Sequence, residues 1–180
     1  MNRTHIKEIF QNENISNLKI LDIGTGSGCI AITLKKELNS NITAIDISEK
    51  ALDVAIKNAI KNQTNIQFIK SDIYSNIEDK FDIIISNPPY IREDEEIEEI
   101  VKQNEPHLAL YAKEEGLYFY KNILKEAKNY LNDKFLIAFE IGHEQANHIK
   151  SLANQYLNDI KVEIKQDYSH KDRFIFIYKK

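Results

Sequence analysis

Short apolar runs alternate with apolar helical faces along most of this chain. The runs expected to form strands span residues 19–23, 42–46, 66–70, 81–86, 135–141, 160–165 and 173–178. Apolar residues at helical spacing predict helices over residues 5–12, 29–38, 94–102, 117–131 and 144–157. Strands that alternate with helices form a mostly parallel sheet covered on both faces, so an α/β fold is predicted. The last two strands alternate polar and apolar residues and are expected to pair antiparallel.

One further helix is predicted between the second and third strands. Ser48 is expected to cap it, with Ala51 at the position where a capping box would have Glu. The helix runs to about residue 61, and its expected inward face consists of Leu52, Ala55, Ile56 and Ala59. The single cysteine, Cys29, is expected to be a small buried residue of the preceding helix, and it excludes an internal disulfide.

Composition and charge narrow the class of protein. The 180 residues, 42% of them hydrophobic and 29% charged, suffice for one domain with a substantial core. The net charge of −4 lacks the basic footprint of a duplex-binding protein, and the acidic run at 93–99 would repel phosphates, so a nucleic-acid partner is disfavoured. No apolar signal core and no run of membrane-spanning length is present, so a cytoplasmic protein without membrane contact is expected. A monomer is expected as well.

The segment Asn87-Pro88-Pro89-Tyr90 directly follows the predicted strand 81–86. The asparagine side chain carries an acceptor and a donor, and two successive prolines fix φ and leave the Pro88 carbonyl free to accept. Two acceptors and the Tyr90 ring can together grip a planar –NH2 group, as found on an amide or on a base. A proline-stiffened turn without a ligand is the alternative, because Pro-Pro marks loops in many proteins.

A glycine-rich turn, Gly24-Thr25-Gly26-Ser27-Gly28, follows the first predicted strand and opens a helix. Its spacing differs from the Gly-x-Gly-x-x-Gly of a dinucleotide site, and it lacks the Lys-Ser/Thr of a phosphate-binding loop. A ligand without pyrophosphate is therefore favoured. The turn and the Asn-Pro-Pro-Tyr segment both follow strands at their carboxyl ends, so they are expected to face one another across one crevice.

Acidic residues follow the second and third predicted strands. Asp46 can accept both hydroxyls of a ribose, as carboxylates do at this position in nucleoside-binding α/β folds. Asp72 could accept from an adenine amino group, and Ile73 beside it could cover the ring. With the glycine turn, these residues describe an adenosyl site without phosphates. The alternative left open is that Asp46 and Asp72 only stabilise turns or cap helices.

In combination, these segments resemble class I S-adenosylmethionine-dependent methyltransferases, and among them the HemK/PrmC group of protein-(glutamine) methyltransferases. Members of that group modify the Gly-Gly-Gln motif of class I peptide-chain release factors. The Asn-Pro-Pro-Tyr motif is shared with enzymes that methylate amino groups of adenine and guanine. Segments more particular to the glutamine enzymes are Glu105-Pro106 with Ala109-Leu110, and Gly116-Leu117 with Tyr120. The remaining landmarks are residues 22–28, Asp46, 71–72, 86–91, 140–142 and Gln145.

The resemblance implies S-adenosylmethionine as cofactor, S-adenosylhomocysteine as product and a release factor as protein partner. Glu140, His143 and Glu144 lack the His-Glu-x-x-His spacing of a metal site, so no metal is expected. It places residues 24–28 at the methionine end of the cofactor and Asp46, with Ile47 beside it, at the ribose. Asp72 and Ile73 would flank the adenine. Asn87 would lie at both cofactor and substrate, and with the Pro88 carbonyl it would accept the N–H bonds of the substrate amide. Pro89 and Tyr90 complete that catalytic motif.

The chain also departs from this family. Bacterial members carry a helical domain and a Pro-Arg-Pro segment before the core, whereas only residues 1–17 precede the core here. The chain is interpreted as a single catalytic domain, with a core over residues 18–180 and a short extension over 1–17. Ser169-His170 stand in the terminal hairpin where the family tends to have glycine. Two alternatives remain: methylation of an exocyclic amine of adenine or guanine in RNA or DNA, and a cofactor-binding fragment without activity.

Overall fold

The computed structural model describes residues 3–11, 13–89, 91–92, 111–112 and 116–180. The helices of this part are α1 (Arg3–Ile9), α2 (Cys29–Leu38), α3 (Glu49–Lys61), α4 (Tyr118–Tyr130) and α5 (Ala146–Tyr156), with a 3-10 turn at Ile15–Asn17. The strands are β1 (Lys19–Ile23), β2 (Asn41–Asp46), β3 (Gln67–Lys70), β4 (Phe81–Ser86), β5 (Ile91–Arg92), β6 (Tyr111–Ala112), β7 (Leu131–Glu140), β8 (Lys161–Gln166) and β9 (Asp172–Lys179).

Seven of these strands form one mixed sheet in the order β3-β2-β1-β4-β7-β9-β8. The strands from β3 to β7 are mutually parallel, while β9 pairs antiparallel with both β7 and β8. Strands β5 and β6 form a separate short parallel pair. The chain order changes direction between β1 and β4, and in open α/β sheets the carboxyl ends at such a switch point form the ligand crevice.

Buried side chains cover both faces of the large sheet. One face packs against α4 and α5, and the other packs against α1 and α2. The central strands β1, β4 and β7 therefore each contain a run of four or five successive buried residues, as expected for strands covered on both sides. Ile6 and Phe10 belong to the second face, so the N-terminal segment packs onto the core. No helix in the described part of the chain is long and apolar enough to cross a membrane.

Local sequence signals predicted several elements well. The bounds of β1, α2 and β4 agree with the predicted ranges, and the antiparallel terminal pair is confirmed. Ser48 caps α3 as predicted, since its Oγ accepts from the backbone N–H of Ala51 at 3.3 Å. This bond satisfies one of the backbone donors left free in the first turn of a helix.

Other predictions were wrong in detail. Cys29 is exposed, because it occupies the first helical position beside the glycine turn. Ile56 is 40% exposed, because it lies about 100° round the helix from the buried Ala55. Strand β7 begins at Leu131, directly after α4, and α5 begins at Ala146. The predicted helix 94–102 lies outside the described residues, and the β5–β6 pair was not predicted.

Candidate active site

Four strand ends lie in one row at the carboxyl edge of the sheet. Ile23 pairs with Ile45 on one side and with Ser86 on the other, and Ile45 in turn pairs with Ile69. The hydroxyl of Ser86 also donates to the Ile23 carbonyl at 2.8 Å, which ties the end of β4 to the end of β1. The predicted site segments that follow these positions are residues 24–28, Asp46, 71–73 and Asn87. The structure therefore brings all four segments to the same edge.

The glycine turn has an open upper surface. Gly24, Gly26 and Gly28 have φ of 70°, 55° and 80°, in the left-handed region that favours glycine. No described atom lies within 4 Å of the place where a Cβ would stand on Gly24 or Gly26. A Cβ on Gly28 would instead lie 3.1 Å from the Cβ of Ala55. The first two glycines thus leave room for a ligand, and the third lets α2 approach α3.

Asp46 organises the turn and retains accepting capacity. Its Oδ2 accepts from the N–H of Gly26 at 2.9 Å, and its Oδ1 accepts from the N–H of Ser48 at 2.9 Å. The bond to Ser48 confirms that Asp46 stabilises a turn. A carboxylate has about four accepting positions, however, so these two bonds leave capacity for the hydroxyls of a ligand. The neighbouring Ile47 is 61% exposed, so its apolar side chain is available for contact.

The segment after β3 is held in an unusual backbone conformation. Ile73 has a φ of 49°, which is costly for a β-branched residue. The Oγ of Ser71 donates to the Ile73 carbonyl at 3.0 Å and accepts from the N–H of Asn76 at 3.1 Å. The Oγ of Ser75 accepts from the N–H of Asp72 at 3.0 Å. These bonds fix a tight turn that leaves the Asp72 side chain exposed and Ile73 half-buried beside it.

The asparagine–proline segment lies at the end of β4. Asn87 is exposed, Pro88 is buried and Pro89 is half-buried. Burial of Pro88 anchors the backbone here, and the pairing of Ser86 with Ile23 places Asn87 beside the start of the glycine turn. Tyr90 lies outside the described residues.

Asp22 is a site residue that the sequence reasoning missed as an individual candidate. It is buried on β1, where its Oδ2 accepts from the Thr25 hydroxyl at 2.6 Å. Its Oδ1 has no hydrogen-bond partner among the described residues. Burial raises the pKa of Asp22 to about 6, although the bond from Thr25 and the nearby backbone N–H of Ala31 oppose the shift, and the nearby Asp46 adds to it. An acidic residue inside an apolar strand was the available signal.

Glu140 places a half-buried carboxyl near the Asn87 side of the crevice. It ends β7, the neighbour of β4, and burial raises its pKa despite the opposing charge of Arg173. Its backbone carbonyl accepts from the Tyr120 hydroxyl at 2.7 Å, which fixes the strand end to α4. Among the described residues, no three His, Cys, Asp or Glu side chains cluster as metal ligands.

The residues present fit an adenosyl ligand that carries hydroxyl and amino groups. The open surface over Gly24 and Gly26 can take the ligand close to the backbone. Asp46 and the exposed Asp72 provide acceptors at the ends of β2 and β3. The unpartnered Oδ1 of Asp22 is a buried acceptor directly beneath the turn. The exposed Asn87 amide lies next to this cradle, where it can position a second molecule.

Comparison with known proteins gives the family. The model of the methyltransferase small domain family matches residues 6–138 of this chain. The chain belongs to that family. A solved methyltransferase from Pyrococcus furiosus superimposes with a TM-score of 0.70 over 97% of this chain and 81% of that chain, at 22% identity. This likeness shows the class I methyltransferase fold, as the sequence predicted.

Other relatives of this methyltransferase small domain protein are more similar to it in sequence than the Pyrococcus furiosus enzyme is. The release factor glutamine methyltransferases of Lactococcus lactis subsp. lactis and Streptococcus pneumoniae are 44% and 43% identical to it. The matches cover 96% and 94% of this chain but only 65% and 62% of the relatives. The chain therefore spans less than two thirds of the length of these proteins.

Proposed function

We propose that this protein transfers a methyl group from S-adenosylmethionine to the side-chain amide nitrogen of the glutamine in the Gly-Gly-Gln motif of class I release factors. The observation that carries the proposal is the position of Asn87 beside the glycine turn, with the Ser86–Ile23 bond joining the two strand ends. The identity of 44% to a release factor glutamine methyltransferase supports the choice of a glutamine amide as acceptor.

The cofactor side of the site uses the ends of β1, β2 and β3. Residues 24–28 would take the methionine end, with Thr25 and Ser27 lying between the three glycines. Asp46 would accept from the ribose hydroxyls, with Ile47 in apolar contact beside it. Asp72 and Ile73 would hold the adenine. The bound cofactor supplies an electrophilic methyl group on its sulfonium.

The substrate side must orient a weak nucleophile, because an amide nitrogen has a delocalised lone pair. The Asn87 side-chain oxygen and the Pro88 carbonyl would accept the two N–H bonds of the glutamine amide. Acceptors on both N–H bonds would orient the nitrogen and stabilise the positive charge that develops on it, and the proton that the nitrogen loses on methylation would pass to solvent. Pro89 would stiffen the segment and Tyr90 would pack against the amide plane.

The remaining parts of the proposal concern the whole protein. We place the core of one catalytic domain at residues 18–180, with residues 1–17 as an extension that packs on the sheet through Ile6 and Phe10. A monomer in the cytoplasm, where it would meet release factors, belongs to the same proposal.

The test is methyl transfer from labelled S-adenosylmethionine to four purified acceptors in parallel. These are a class I release factor, the same factor with Gly-Gly-Ala in place of Gly-Gly-Gln, ribosomal RNA and DNA. The proposal predicts label on the Gly-Gly-Gln form alone. Label on nucleic acid would instead place the enzyme among those that methylate exocyclic amines of bases.

A cofactor-binding assay separates inactivity from misfolding. Bound S-adenosylhomocysteine, with no label on any acceptor, would contradict the proposed function and support a cofactor-binding fragment without activity. Both assays use the full chain, and the acceptors are whole proteins because a short peptide lacks most of the docking surface.

A further inference from the structure

The terminal hairpin rises beside the substrate side of the crevice. Ser86 of β4 pairs with Phe139 of β7, Phe139 pairs with Ile175 of β9, and Ile175 pairs with Ile164 of β8. All four residues therefore lie in the row that ends next to Asn87. The hairpin continues past this row, because β8 runs on to Gln166 before the chain turns back. Its tip lies on the same edge of the sheet as the asparagine–proline segment.

The spacing of strands gives the position of the tip. Three strand separations of about 4.8 Å place β8, the strand that leads into Tyr168, about 14 Å to the side of β4. Four residues from Ile164 to Tyr168, at about 3.3 Å each, place Tyr168 roughly 13 Å beyond the row. The tip therefore projects beyond the edge of the sheet beside the crevice. A macromolecule that places one side chain at Asn87 could contact it. A small substrate held at Asn87 would not reach it.

The turn itself is rigidly built. Asp167 pairs with Lys171 through a backbone bond of 2.9 Å, and its Oδ1 accepts from the N–H groups of Ser169 at 2.8 Å and Lys171 at 3.1 Å. The Nε of Arg173 donates to Asp167 Oδ2 at 3.4 Å. Another carboxylate at the base, Asp172, accepts from Gln166 at 3.1 Å. Both carboxylates accept hydrogen bonds within the hairpin and hold the turn. The side chains exposed at the tip are different residues.

Those displayed side chains are aromatic and basic. Tyr168 is fully exposed, and His170 and Lys171 are exposed beside it. His170 has a φ of 59°, a conformation that glycine adopts without strain. The turn therefore has an imidazole side chain at a position that favours glycine. An exposed tyrosine on a hydrogen-bonded turn, next to basic groups, is typical of residues that anchor protein–protein contacts.

We propose that the hairpin tip, residues 168–171, is a docking contact for the protein substrate, with Tyr168 as its anchor. The inference rests on the proposed function, because the partner it fits is the release factor that presents a glutamine to Asn87. Tyr168 would enter an apolar depression on that protein, and Lys171 would meet acidic groups around it. The occupant is inferred from position, because the tip lies on the same edge of the sheet as Asn87, where the release factor would present its glutamine.

The experiment compares Tyr168→Ala, His170→Gly and Ile60→Ala in steady-state methylation of whole release factor. Ile60 is the matched control, because it is an exposed apolar side chain at the last turn of α3, on the opposite edge of the sheet. For Tyr168→Ala we expect KM for the release factor to rise about tenfold, the loss typical of one anchor residue, with kcat and the Kd of S-adenosylhomocysteine unchanged. The Ile60→Ala protein should match the wild type.

His170→Gly separates the side chain from the backbone. It keeps or improves the turn geometry, so a rise in KM with unchanged thermal stability would assign contact to the His170 side chain and support the docking proposal. Equal KM for Tyr168→Ala and the wild type, with methylation of the release factor intact, would overturn the docking proposal and leave the proposed function standing. No methylation by the wild type would reject both. RNA binding that is lost in Tyr168→Ala would also overturn the docking proposal.

Discussion

Asp22→Asn tests the buried carboxyl beneath the glycine turn. The asparagine oxygen can still accept from the Thr25 hydroxyl, so the variant resembles the protein with Asp22 protonated. In both, the group at the Oδ1 position lacks a partner among the described residues. The two proteins therefore differ mainly in the charge that wild type carries once Asp22 ionises.

The magnitude follows from the pKa. The fold raises the pKa of Asp22 from 3.8 to about 6, and each pKa unit is worth about 1.4 kcal/mol, so the ionised group costs the folded protein about 3 kcal/mol. The folded protein binds this proton more tightly than the unfolded chain does. The stability contributed by Asp22 is therefore full below about pH 4 and is lost as the pH rises through about 6.

The assay is urea unfolding of both proteins at a series of pH values, with ΔG obtained by linear extrapolation. Relative to wild type, Asp22→Asn should gain up to about 3 kcal/mol of stability between about pH 4 and pH 7, and the gain should then level off. Asp53→Asn, which removes an exposed carboxylate from α3, controls for the loss of one negative charge. A difference between Asp22→Asn and wild type that stays constant from pH 4 to pH 8 would refute the reasoning.

Three further substitutions test single contacts. Asn87→Ala should cost about 2–4 kcal/mol of transition-state stabilisation, measured as a fall in kcat/KM. The affinity for the cofactor should change little. Near-normal turnover would contradict the role of Asn87. Gly26→Ala places a Cβ in the open space over the turn, at a φ of 55°. The Kd of S-adenosylhomocysteine, measured by calorimetry, should therefore rise at least about tenfold. An unchanged Kd would argue against a cofactor site over this turn. Ser48→Ala should lower the free energy of unfolding by about 1 kcal/mol through loss of the α3 cap while cofactor affinity is retained; equal stability would show that the cap contributes nothing.

Features that depend on neighbouring residues were predictable from the sequence. The glycine turn, the Ser48 cap and the strand before Asn87 each depend on a few residues in succession. Parallel strands also bring their carboxyl ends to one edge, so the order of elements was enough to place Asp46 and Asn87 together. The structure shows that arrangement through the register of β1 with β2 and β4.

Features that depend on contacts between distant segments were not predictable. Ile56 has helical spacing suited to burial, but which residues α3 buries is decided by its packing against α2 and the sheet. The positive φ of Ile73 results from bonds that Ser71 makes across its own turn. The unpartnered oxygen of Asp22 is visible only once the surrounding strands are in place. Each of these depends on tertiary geometry that periodicity does not encode.

Peptide mapping of the methylated acceptor tests the central claim most directly. Whole release factor would be incubated with S-adenosylmethionine and either wild type or Asn87→Ala, then digested and fragmented in a mass spectrometer. The account predicts one added methyl group on the glutamine side chain of the Gly-Gly-Gln peptide with wild type, and little or none with Asn87→Ala. A methyl group on any other residue, or equal methylation by both proteins, would contradict it.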